Sequence, residues 1–118
     1  MTPSQIPERF DRTMGCSQAD LLRWLPDALA GASMEIDERQ RLCLARWDWG
    51  HLQLGWEVLQ DRKIALLSIP CMKVSFSYSG ATAEQRFQIQ RKFDLHTQRG
   101  GGDVQNSRAG VRCLWHFV

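Results

Sequence analysis

The chain has 118 residues, 43% of them hydrophobic and 24% charged, with a formal charge of +2. That is about one domain's worth of polypeptide, able to bury roughly two-thirds of its unfolded surface around a single core and too apolar to stay disordered. The longest uninterrupted apolar run, Ile64-Ala65-Leu66-Leu67, falls far short of the about 20 residues that cross a bilayer, and no charged segment followed by an apolar one marks an export signal. The expectation is a cytoplasmic domain with no membrane partner.

The charge is unevenly placed. Residues 1–59 hold nine acidic and six basic side chains, whereas residues 60–118 hold four acidic and nine basic. Such a split favours self-association or an acidic partner if the two halves show different faces. Cys16, Cys43, Cys71 and Cys113 are scattered without a Cys-x-x-Cys pair, so a disulfide framework is not expected. Cys43 and Cys71 lie in apolar strand segments, where a free thiol packs as a small hydrophobe.

In chain order, residues 1–12 contain two prolines and no period, and read as an extended arm. Ser17 with Asp20 then opens a helix over about 18–30, whose stripe is Leu21, Leu22, Leu25 and Leu29; Pro26 should kink it and Gly31 should end it. Residues 33–47 fit either a helix or two short strands; Leu42-Cys43-Leu44-Ala45 running into a turn favours the hairpin. The period then becomes two. Leu52, Leu54, Trp56 and Val58 alternate with polar or small residues, as do Met72, Val74, Phe76 and Tyr78, which describes antiparallel strands with one wet face. Turns are expected at Asp48-Trp49-Gly50 and Gln60-Asp61-Arg62, with residues 63–79 as one strand bent at an edge-bound Pro70. Thr82-Ala83-Glu84-Gln85 is a capping box for a second helix, carrying Ala83, Phe87, Ile89 and Phe93 and ending at Gly100-Gly101-Gly102.

The fold class expected is therefore α+β in two layers: an antiparallel meander of four to five strands with an N-terminal and a C-terminal helix on its apolar face. One domain spans 13–99, preceded by the arm and followed by a glycine-led tail, 100–118, apolar enough to dock as an edge strand.

No motif for chemistry is complete. The three glycines follow a helix instead of preceding one, so they lack the positive dipole end of a phosphate loop. Cys113 with His116 supplies two of the four ligands a closed zinc site needs, as does Asp94 with His96 at the second helix's end; no metal or cofactor is expected. Cys16 beside a helix N-terminus has no adjacent base. Arg86, Arg91, Lys92 and Arg99, with Arg108 and Arg112 beyond, form a basic stripe diluted by Glu84 and Asp94, too weak for a dedicated nucleic-acid surface.

What remains is recognition. The wet face of the sheet offers Gln53, Ser75 and Ser77, uncharged residues suited to receive a partner, and Trp47, Trp49 and Trp115 are residue types favoured as interface anchors. The leading expectation is a non-enzymatic interaction domain that binds a protein or a second copy of itself as a homodimer. The alternative is a ligand or catalytic cavity between helix and sheet, with Asp48 and His51 beside Trp47 as titratable groups.

Overall fold

The computed structural model describes residues 6–102 and 115–117, with side chains over 6–97. Its elements are β1 (Arg9–Met14), α1 (Gln18–Ala28), β2 (Ser33–Asp37), β3 (Leu42–Trp47), β4 (Gly50–Ile64), β5 (Leu67–Ser79), α2 (Ala83–Gly102) and β6 (Trp115–Phe117). The strands form one sheet in the order β2-β3-β4-β5-β1-β6, every pairing antiparallel. Two helices cover one face, giving the two-layer α+β architecture that the change of period implies.

Burial follows the alternation. Leu52, Leu54, Met72, Val74, Phe76 and Tyr78 point to the helices and join Leu21, Leu25, Leu29 and Phe93 in one core. Trp56 and Phe76 are both buried. The indole N–H of Trp56 donates to Gln18 Oε1 at 2.8 Å, tying β4 to the first turn of α1. Phe76 stacks on Phe10 at 4.7 Å and meets Phe93 edge-on at 5.3 Å, so one ring holds β1, β5 and α2 together.

Both helix starts are capped as their sequences require. Asp20 N–H donates to Ser17 Oγ, and Ser17 N–H to the Asp20 carboxylate. At α2, Gln85 N–H donates to Thr82 Oγ1 and Thr82 N–H to Gln85 Oε1. Each pair satisfies two first-turn donors. Pro26 lies within α1 without ending it, because it sits in the last turn and only one backbone bond is lost.

Four differences from the sequence reading have physical causes. The N-terminal segment is extended, as expected of an arm, but from Arg9 it is a strand between β5 and β6. Its core-facing positions are Phe10, Arg12 and Met14, and the arginine in the middle interrupts the apolar period. Second, no turn forms at Gln60-Asp61-Arg62. The chain absorbs one extra residue there as a bulge, with Leu59 opposite Cys71 and Arg62 opposite Ile69, and reverses at Ala65-Leu66. Ala65 accepts φ +54, a conformation usually left to glycine or asparagine, so no residue type announces the turn. Third, residues 63–79 are consequently two strands, not one. Pro70 still lies on an edge, because β1 pairs with β5 only from Met72 onward.

The fourth is that α2 runs through Gly100–Gly102. Glycine weakens propagation but permits helical dihedrals, and a nucleated helix can carry it in its final turn.

Gly50 and Gly80 let the β3–β4 turn lie against the end of β5. A methyl group on Gly50 would fall 2.1 Å from Ser79 O, and one on Gly80, which has φ +82, would fall 2.6 Å from Trp49 O. Only glycine permits that crossing.

Candidate functional site

The interior between sheet and α2 is not wholly apolar. Arg12, 3% exposed, places its guanidinium 2.5 Å from Asp94 Oδ1 and over the rings of Phe10 and Phe76 at 5.4 and 5.8 Å. Gln90 Nε2 donates to the same carboxylate, and Tyr78 O–H donates to Gln90 Oε1 at 2.8 Å. Burial pushes the Asp94 carboxyl above the ordinary aspartate range, outweighing the opposite pull of Arg12. Burial likewise raises the Tyr78 phenol. Its hydroxyl stays protonated and serves as a hydrogen-bond donor. This chain of four side chains fixes the register of α2 on the sheet.

The opposite face of the sheet carries the residues expected to meet a partner. The β4–β5 register sets Gln53 beside Ser77 and Gly55 beside Ser75, so Gln53, Ser75 and Ser77 form one contiguous patch. Gln53 is exposed and the two serines half-buried. Leu42 and Leu44 flank them from β3. Among the described residues, no element packs on this face.

Trp47 and Trp49 stack at 5.0 Å with 11° between planes and lean against the core. Trp115 lies in β6 opposite Met14; its side chain is outside the described residues. Asp48 is exposed in the turn. His51 is paired with Arg46 and Ser79, on the face away from the helices, while Trp47 lies on the helix side with Cys43 and Ala45. The fold therefore places His51 and Trp47 on opposite faces of the sheet. Cys16, 2% exposed, belongs to the core, also on the side away from His51. Cys43 and Cys71 are buried free thiols, as their strand positions suggest. Burial lifts the Cys43 thiol to about 11. Arg86 donates to the carbonyls of Ile6 and Ala81, so it braces the start of α2.

Asp94 is taken up by Arg12, and His96 Nδ1 lies 3.0 Å from Lys92 O. Among the described residues no three metal-ligating side chains gather. Cys113, Arg108 and Arg112 lie outside the described residues, as does the side chain of Arg99. No helix among the described residues is long and apolar enough to cross a membrane.

Two features emerge that residue patterns did not single out. One is a groove of about 360 Å³ where the end of α1 meets α2. The helical spacing of Gln88, Arg91, Lys92 and Leu95 brings them to one side, and Trp47 of β3 closes the other. Asp48 and His51 do not line it.

The second is an arm. β3 reaches only to Gly55 and β1 only to Met72, so β4 and β5 continue past them as a two-stranded ribbon. Its exposed apolar residues are Val58 (54%), Ile64 (45%), Leu66 (102%) and Leu67 (45%). The sequence signal was present in the Ile64–Leu67 run, but an apolar run reads as core until the fold shows what surrounds it.

No protein-family model, curated protein or solved structure matches this chain significantly.

Proposed function

We propose that the domain is a non-enzymatic interaction module that pairs with a second copy of itself through the β4–β5 arm. The observation that carries this reading is the concentration of exposed aliphatic side chains there: Val58, Ile64, Leu66 and Leu67 are four of the six large hydrophobic residues exposed among the described residues. A cluster of that kind marks a contact surface more often than scattered single residues do.

Two properties of the arm favour another copy as the partner. Its charges are mixed, with Glu57 and Asp61 beside Arg62, Lys63 and Lys73, so a two-fold contact can set each sign against its opposite. Its edges are blunted by the bulge in β4 and by Pro70 in β5, which discourages open-ended strand addition and favours closed contact through side chains. By register Ile64 and Leu67 share the face of Gln53, Ser75 and Ser77, whereas Val58, opposite Met72, lies on the other face of the ribbon.

Sedimentation velocity of the full chain across a concentration series tests this, with Leu66→Ser as the variant. Leu66 is fully exposed, so the monomer should fold unchanged. Burying one leucine contributes about 2 kcal/mol, and symmetry counts it twice, so the variant should weaken the dimer by about a thousandfold. A wild-type chain that stays monomeric throughout, or a dimer indifferent to the substitution, overturns the reading.

A further inference from the structure

The groove between α1 and α2 is independent of the arm and has a different character. Its volume, about 360 Å³, falls at the small-molecule end of ligand sites, which run from about 300 to 1,000 Å³. Ala28 and Leu29 at the end of α1 and Ile89 and Leu95 on α2 line it together with the indole of Trp47. Among the described residues, the charged members of its lining are Arg91 and Lys92, with no acidic side chain beside them. Neither cation forms an ion pair among the described residues, in contrast to Arg12, Arg23, Arg46, Lys73 and Arg86. An apolar trough bordered by two uncommitted cations is complementary to a molecule with an apolar body and one negative end.

The kind of anion follows from the surroundings. Arg91 and Lys92 lie in the interior of α2, where backbone N–H groups are spent on the helix, so no amide cradle is available for a phosphate cluster. Side chains alone must hold the charge, which suits a single carboxylate. We propose that this groove binds a small organic carboxylate, its aromatic or aliphatic body seated against Trp47, Ile89 and Leu95 and its carboxylate held by Arg91 and Lys92. Trp47 keeps its place through stacking on Trp49, so the aromatic wall exists before the ligand arrives, which lowers the ordering cost of binding.

The test is a ¹⁵N-resolved NMR titration of the full chain with 2-naphthylacetate, its uncharged amide and acetate as probes. The carboxylate should shift the resonances of Trp47, Ile89 and Leu95 in a saturable manner, and both comparison compounds should bind at least about tenfold more weakly. The variant Arg91→Ala/Lys92→Ala, both side chains exposed, should keep the wild-type spectrum elsewhere and lose about tenfold in affinity. Equal binding of the amide, shifts confined to other surfaces, or unchanged affinity in the double variant each overturn the proposal. Leu66→Ser should leave the titration intact, which separates this site from the arm.

Discussion

Asp94 offers the sharpest test of how the two layers are held. Its carboxylate accepts from Arg12 at 2.5 Å and from Gln90 at 3.3 Å, and Arg12 is 3% exposed with no access to a neutral form. Asp94→Ala removes an acceptor from a buried guanidinium, a charged hydrogen bond that contributes about 1.5–3 kcal/mol, together with the weaker bond from Gln90. The expected loss is about 2–4 kcal/mol, or roughly 8–16 °C in Tm for a chain of this size. Asp94→Asn keeps a carbonyl oxygen for Arg12 but leaves the buried guanidinium without its counter-charge, so it should lose stability at pH 7, though less than Asp94→Ala. The acid limb separates the two effects. The folded-state pKa of Asp94 lies above its unfolded value, so the folded chain binds this proton more tightly, and ionisation costs stability that acid restores. Relative to Asp94→Asn, the wild type should gain stability as pH falls through the folded pKa and level off below about 4, the ordinary aspartate value. Circular-dichroism melts of the three proteins from pH 7 to pH 4 decide it. A loss under about 1 kcal/mol in Asp94→Ala, or a wild-type/Asn difference that does not change with pH, refutes the reasoning.

Phe76→Ala should be among the most damaging single substitutions, because it removes a fully buried ring and two aromatic contacts at once; about 3–5 kcal/mol is expected from urea unfolding. Gly80→Ala combines a strained φ of +82 with a methyl group 2.6 Å from Trp49 O, and should cost about 2–4 kcal/mol, whereas an unchanged urea midpoint would show that the turn can shift. With its pKa lifted to about 11 by burial, Cys43 should resist iodoacetamide at neutral pH in the native state and react once urea unfolds the chain. Peptide mass spectrometry reads this directly, and labelling of Cys43 in the native state would contradict it.

Much of the architecture could be read from local pattern. Alternation over Leu52–Trp56 and Met72–Tyr78 defined which faces turn inward, while Val58 continues the period but is exposed on the arm. The pairs Ser17/Asp20 and Thr82/Gln85 marked both helix starts, because capping and pleat geometry depend on residues within a few positions of one another. What the pattern missed depends on distance along the chain. Arg12 makes a core position of β1 because Asp94, 82 residues away, receives it, so no window around Arg9–Met14 could show a strand. The same holds for the sites. Trp47 stands out in the sequence as an anchor and Arg91 as part of a basic stripe, but the two line one groove only when α1 and α2 pack beside β3. His51, three residues after Asp48, looked like a neighbour of Trp47 until the sheet put it on the other side. Likewise Ile64–Leu67 carries the mark of a core segment, and only the shortness of β1 and β3 leaves it exposed. Residue order alone determined the periodicity, the caps and the class of fold; the packing of distant segments decided which apolar residues are covered, since burial depends on what lies opposite a side chain and the local sequence does not specify that.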